Sequence, residues 1–419
     1  MAYLLKNISN LVTCAQQGKD KGARKGKNAS EIGLIKNGNV ITVNDRIVFA
    51  GGTSALKLYL LKNKIKNLSE IDAAGKTVMP GFIDSHTHLV FAGSRSDEYE
   101  MRIKGSSYEE IAKAGGGISS TVNKVRKASG GELTRAAEKR LGNFISYGTT
   151  TLEAKSGYGL DVKTELKMLE VINKLNKKNK YGIDIYPTFL GAHSVPKGIC
   201  KEEYIEIICS EMIPAVAEGG LAKFIDVFCE KGYFSAKDSE RILSTGARFG
   251  MIPKLHTDQF YSIGGIDTAI KVKAISVDHL EVLKSNDIKK LRKKNIIATL
   301  LPGASYFLDI SYPPARELIA NEIPVAIATD FNPGSSMTEN MQIIMSLSSL
   351  KMKMSSEEII NAATINGAYA LFIQDISGSI EPGKQADLLI FDFPSYNDLI
   401  YHYGVNQLEK VMKKGRFAN

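Results

Sequence analysis

Eight short apolar runs, each followed by a stretch of helical periodicity, constrain this chain more than any other feature. They end near His88, Lys155, His193, Glu230, His256, His279, Leu301 and Asp330. Such runs, rich in β-branched residues and bounded by turn signals, read as buried strands. Their alternation with amphipathic helices reads as βα units feeding a parallel sheet. Eight units are the count of a TIM barrel. The intervening helical segments include Val162 to Lys178 and Glu281 to Lys294, and Ser355-Ser-Glu-Glu358 has the form of a capping box opening the last helix.

Both ends of the chain read as β. Glu31 to Val43 holds two apolar runs around Asn37-Gly38, a hairpin signal, and Gly378 to Asp392 carries a Pro-Gly turn followed by a short apolar strand. The expected fold is therefore α/β. A (β/α)8 TIM-like barrel over 79–377 is flanked by a small β-sandwich domain built from 1–78 and 378–419.

Chemistry gathers at the strand ends. The chain has six histidines. His86 and His88 alternate at the end of the first apolar run, so both face the same side. His193, His256 and His279 end the third, fifth and sixth runs, and Asp330 ends the eighth. Structural histidines would scatter over helices and loops, whereas the C-terminal ends of barrel strands are where active sites form. Only His402 lies outside the set, in the C-terminal β region, and it is assigned no role. His86, His88, His256 and Asp330 offer three imidazoles and a carboxylate. That donor set suits a borderline ion such as zinc or iron and leaves a position open for water. An ion so held lowers the pKa of its water to roughly 7. His279 is then a spare imidazole, placed to hydrogen-bond a substrate carbonyl or the attacking water.

Composition narrows the remaining classes. No uncharged apolar run is long enough to span a bilayer, and the N-terminal residues lack a secretory pattern. The four cysteines, Cys14, Cys200, Cys209 and Cys229, have no paired spacing and read as free thiols of a reducing cytoplasm. The net charge is +9, with lysine runs at Lys174 to Lys180 and Lys289 to Lys294. Both runs read as solvated helix ends. No aromatic residues interleave them in a nucleic-acid motif, so neither nucleic acid nor membrane is an expected partner. A mild basic field favours an anionic small molecule.

The set of His-x-His, two single histidines and a final aspartate resembles the amidohydrolase superfamily, as does the closing stretch Gly378-Ser-Ile-Glu-Pro-Gly-Lys-Gln-Ala-Asp-Leu. No lysine ends the fourth run (Lys231 follows Glu230), which favours one metal over two. Longer strings are similar to the imidazolonepropionase family: Phe91-Ala-Gly-Ser-Arg95-Ser-Asp-Glu-Tyr, Gly105-Ser-Ser-Tyr108, Glu153-Ala-Lys-Ser-Gly-Tyr158-Gly-Leu, and Thr188-Phe-Leu-Gly-Ala-His193-Ser-Val-Pro. The resemblance implies hydrolysis of the ring amide of 4-imidazolone-5-propanoate to N-formimidoyl-L-glutamate, with one Zn2+ or Fe3+ per subunit of a homodimer. It implies that Arg95 forks the propanoate carboxylate. It also makes Tyr108, Tyr158, His193, Asn332, Gly334 and Ser335 substrate contacts. One position departs from the family pattern. Many members carry a glutamate three residues after the fifth-strand histidine, where this chain has Gln259. Glutamine can hold a ring nitrogen but cannot take a proton at neutral pH. Proton transfer is then expected to fall to His279 or Asp330, with His279 favoured because Asp330 is already a ligand. The alternative on the same scaffold is another cyclic amidohydrolase or a purine or pyrimidine deaminase, which would rely on that missing glutamate.

Overall fold

A computed structural model of the chain describes residues 1–15, 22–106, 110 and 115–418. The eight apolar runs form eight parallel strands paired in sequence order: Phe82–Asp84, Thr149–Lys155, Asp184–Ala192, Phe224–Cys229, Ile252–Thr257, Ser276–His279, Ile297–Leu300 and Val325–Ile327. Helices cover the outside with one apolar stripe each. Gly130–Ser146 turns Leu133, Ala137, Leu141 and Phe144 inward, and Val162–Lys177 turns Met168, Leu169, Ile172 and Leu175 inward. Capping boxes at Ser129/Glu132, Ser235/Asp238 and Ser355/Glu358 satisfy the first backbone N–H groups of three of these helices.

The first and eighth strands meet through an isolated bridge, Thr87 to Phe331, in place of a ladder. His88 N donates to Phe331 O at 2.9 Å, and Asp330 N donates to His86 O at 3.1 Å. Deeper in the seam, the buried Asp84 carboxylate accepts from Thr329 N at 3.0 Å and from Thr329 Oγ1 at 2.6 Å. The seam is thus closed by hydrogen bonds at and just below the residues that the sequence marks for chemistry.

Both termini share one sheet. Arg416–Phe417, Leu408–Lys413, Leu388–Phe391, Thr77–Pro80, Ala2–Val12, Leu34–Val43 and Arg46–Gly52 pair in that order, and Leu68–Asp72 runs parallel beside Ala2–Val12. The sheet folds over Leu5, Ile8, Val40, Ile47, Leu388 and Met412. Its other side packs Leu4, Ile41 and Phe49 against Leu56 of the helix Thr53–Lys62.

Two local expectations fail. Asn37-Gly38 makes no hairpin turn, because both residues lie inside Leu34–Val43, and the turn falls at Asn44-Asp45. Gly38 serves close approach: a Cβ there would stand 2.6 Å from Leu11 Cβ on the neighbouring strand. The helix expected from Glu281 is confined to Ser285–Leu291. His279 and Leu280 take left-handed backbone angles (φ +86° and +74°), which turn the chain before a helix can start.

The seam gives a direct test. Thr329→Val removes the hydroxyl that the buried Asp84 carboxylate accepts from, at an expected cost of about 1–3 kcal/mol. The denaturant midpoint should fall for Thr329→Val and stay near wild type for Thr329→Ser. Equal midpoints for both variants would show that the bond carries no stability.

Candidate metal centre

The strand ends bring five of the expected residues to one buried point. The ligand atoms of His86, His88 and Asp330 lie within 4.8 Å of one another, and so do those of His86, His256 and His279. His86 Nε2 is 3.4 Å from Asp330 Oδ1, and His88 Nε2 is 3.7 Å from the same oxygen. The ring centroids of His86 and His256 are 4.3 Å apart. The four expected ligands are therefore divided between two overlapping triplets that share His86, and the second groups His256 with His279, which lies outside the expected ligand set.

Three of these imidazoles, His86, His256 and His279, have a carboxylate behind them. His86 Nδ1 lies 2.7 Å from Asp278 Oδ2, and His279 Nδ1 lies 3.2 Å from Glu281 Oε1. His256 Nδ1 is 2.8 Å from Asp226 Oδ2, a close but poorly directed contact. An imidazole whose Nδ1–H faces a carboxylate presents the lone pair of Nε2, the form in which histidine binds a metal. The Nε2 atoms of His86 and His256 are buried and have no hydrogen-bond partner among the described residues. Unpartnered buried acceptors of this kind are costly unless something binds them, so the donor set fits a metal ion. Burial holds the pKa of His86 and His88 well below the ordinary value and pushes His193 down to about 3, which keeps all three neutral. His279 behaves differently. Burial opposes its charge, but Glu281, Asp330 and Asp278 outweigh it and raise the pKa.

Below the histidines lies a sealed charge network. Lys155 Nζ is 2.7 Å from Asp226 Oδ2 and 2.9 Å from a Glu153 oxygen, and Lys254 Nζ is 2.8 Å from Glu153 Oε2. Both ammonium groups stand 3.7 Å from Asp278 Oδ2. All five side chains are fully buried. Burial disfavours the Lys155 charge, yet Asp226, Glu153 and Asp278 raise its pKa above the ordinary value. Asp226, Asp278 and Glu281 were not foreseen as partners of the histidines. Their signal was present as a charged residue inside or beside an apolar strand, as in Phe224-Ile-Asp226-Val-Phe.

His88, His193, His256 and His279 line an inner chamber of about 70 Å3. It shares Tyr158, His193, Gln259, Asn332 and Ser335 with an outer cavity of about 350 Å3, which Arg95 and Gly334 also line. Tyr158 sits on a loop gathered by the buried Glu165 carboxylate, which accepts from the N–H groups of Gly157, Gly159 and Leu160. His193 stacks on His88 at 5.1 Å, and its Nδ1 lies 3.0 Å from Gly157 O. Asn332 Oδ1 accepts from Gly334 N and Ser335 N at 2.7 and 2.8 Å, shaping the loop after the eighth strand. A side chain at Gly334 would enter the Arg95 guanidinium, with its Cβ 2.4 Å from Nη1. Arg95 Nε donates to Glu98 Oε2 at 2.7 Å. Gln259 is held by its neighbours: Glu230 Oε2 accepts from Phe260 N and Tyr261 N at 2.9 and 3.2 Å. Tyr108 lies outside the described residues, and His402 is exposed, outside the residues that line either chamber.

Models of the amidohydrolase family match residues 251–418 and 69–157. An imidazolonepropionase of Alkaliphilus metalliredigens is 44% identical, the match covering 99% of this chain and 97% of the relative. An imidazolonepropionase of Shouchella clausii is likewise 44% identical, over 99% of this chain and 92% of the relative. An adenosine deaminase from Xanthomonas campestris, solved with bound zinc, superposes with a TM-score of 0.71 at 15% identity, covering 99% of this chain and 92% of that one. At that identity the likeness shows a shared fold.

The carboxylate behind His86 makes the donor set testable. Asp278→Asn should weaken metal binding about 10–100-fold, as loss of such partners typically does. Chelator competition on purified protein measures it. Unchanged affinity in a folded variant would separate Asp278 from the metal centre.

Proposed function

Because the chain belongs to the imidazolonepropionase family of the amidohydrolase superfamily, we propose that it opens the ring amide of 4-imidazolone-5-propanoate, giving N-formimidoyl-L-glutamate. It is a metal-dependent hydrolase of histidine degradation. The observation that carries the reading is the joining of two chambers: His88, His193, His256 and His279 line the inner one, and Arg95 stands in the wall of the cavity above.

His86, His88, His256 and Asp330 would hold one ion, Zn2+ or Fe3+. The unpartnered Nε2 atoms of His86 and His256 support this. Such an ion supplies Lewis acidity and makes water acidic enough to attack at neutral pH. The remaining work belongs to the chain. Hydrolysis forms a C–O bond at the ring carbonyl, breaks the adjacent C–N bond and delivers one proton of water to the released nitrogen. Arg95 binds the propanoate carboxylate through its planar fork, beside the backbone of Gly334. Tyr158, His193, Asn332 and Ser335 shape the passage between the chambers, and Gln259 holds the ring by hydrogen bonds. His279 accepts the proton of the attacking water at Nε2, because its Nδ1 faces Glu281. A deaminase reading needs a carboxylate where Gln259 stands.

We further read the enzyme as a cytoplasmic homodimer. The four free cysteines suit a reducing compartment, and no helix among the described residues is long and apolar enough to cross a membrane. An exposed run of Tyr401, Tyr403 and Val405 offers apolar surface to a second copy.

Freshly prepared 4-imidazolone-5-propanoate should lose its ultraviolet absorbance in the presence of the metal-loaded enzyme and keep it after chelation. Persistence of the absorbance with loaded enzyme, together with ammonia release from guanine or cytosine, would replace this reading with the deaminase one.

The division of labour is separable. His279→Ala should lower kcat about 10²–10⁴-fold, the usual worth of a positioned base, while the metal is retained. Gln259→Ala should mainly raise KM. A near-normal His279→Ala beside a Gln259→Ala that has lost kcat would reverse the assignment.

A further inference from the structure

The helix Ser96–Ile103 follows Arg95 and has no buried residue, yet it carries a second guanidinium into the outer cavity. Arg102 stacks on two rings, with Cζ 4.8 Å from the Phe307 centroid and 5.4 Å from that of Tyr99. These rings lie 5.0 Å apart and also line the cavity. The stack orders the side chain and removes it partly from water. Arg102 Nη2 is buried and has no hydrogen-bond partner among the described residues. The cavity's own carboxylate does not serve it: Glu98 Oε2 accepts from Arg95 Nε at 2.7 Å and from Gly117 N at 2.9 Å. Of the three charged groups that the described residues bring to this wall, one arginine and the glutamate are paired. Among the described residues one positive charge is left over, with its buried Nη2 unpartnered.

A desolvated guanidinium with a spare donor gains most from an anion, and a carboxylate is the anion its geometry matches. Apolar walls beside it concentrate its field in the mouth. We propose that Arg102 is an outer anion contact that captures the substrate's carboxylate as it enters and hands it on to Arg95. The inference rests on the reading of the substrate given above. It adds a second, earlier recognition point for the same carboxylate, one that acts on binding and leaves the chemical step untouched.

The experiment compares wild type, Arg102→Gln and Arg102→Lys, each metal-loaded, with 4-imidazolone-5-propanoate at low and high ionic strength. Arg102→Gln should lower kcat/KM about tenfold at low salt, within the range of electrostatic capture, and leave kcat within about twofold. The deficit should shrink at about 0.5 M salt, where screening is strong. Arg102→Lys, which keeps the charge, should recover most of kcat/KM. A kcat/KM for Arg102→Gln equal to wild type at low salt would overturn the proposal. So would a loss confined to kcat, or one indifferent to salt. Calorimetry with free glutarate separates this inference from the reading beneath it. If wild type leaves the imidazolone intact, the reading of the substrate fails. Weaker glutarate binding by Arg102→Gln than by wild type then still supports the anion contact, and equal binding overturns it.

Discussion

Glu153, Asp226 and Asp278 are carboxylates without access to water, and they are tolerable inside the barrel because Lys155 and Lys254 are buried with them. Removing either ammonium would strand an uncompensated charge, the most destabilising change such a network admits. Replacing the whole network with apolar side chains would cost little stability by the same reasoning. What it would lose is orientation. Asp278 meets His86, and Asp226 meets both the ring of His256 and its backbone N–H. The lysines hold the carboxylates, the carboxylates hold the rings, and the rings present unpartnered nitrogen to the chamber. The candidate metal centre is therefore backed by a buried ion network inside the barrel.

Above that network the backbone departs from ordinary strand geometry. His279, Leu280, Asp258 and Asp330 all take left-handed angles. Such angles cost energy in residues with a Cβ and persist where surrounding bonds fix them. Here the fixing bonds are identifiable. Asp330 N donates to His86 O across the seam, Leu280 N to Thr257 O, and Val282 N to Asp258 O. The turns aim side chains inward that a straight strand would carry past the chamber. They also explain why Glu281 ends up behind His279 when periodicity alone would have started a helix there.

The barrel was legible because two periodicities coincided. Apolar runs set the strands, and titratable residues fall at their ends, so the sequence alone groups His86, His88, His256, His279 and Asp330. The partners of those residues were less legible. Asp226 and Lys254 sit within apolar strands where a charge looks like an interruption, and only the closed barrel shows that they face each other's neighbours across the axis. Asn37-Gly38 misled for the opposite reason. Its local turn chemistry is strong, but the long strand Ala2–Val12 pairs along almost all of Leu34–Val43 and overrides it. That Arg102 Nη2 has no partner among the described residues is not legible in the sequence, since it depends on Glu98 being taken by Arg95 and Gly117.

The two chambers impose a gradient of charge along the path into the barrel. Among the described residues, the outer wall is cationic by one guanidinium, and the inner floor is lined by imidazoles with Asp330 as its only carboxylate. A glutamate at position 259 would put a second negative charge between these regions, on a loop that Glu230 already fixes in place. It would sit on the route of an anionic substrate arm and would compete with His279 for the proton of the attacking water. Gln259 offers hydrogen-bonding groups without that charge. Repulsion along the path falls, and the basic group nearest the floor becomes the imidazole whose far nitrogen is held by Glu281. Under the proposed assignments, substrate entry and proton transfer fall to different side chains, Arg95 and Arg102 for the carboxylate and His279 for the proton. Ionic strength should therefore govern the first and pH the second.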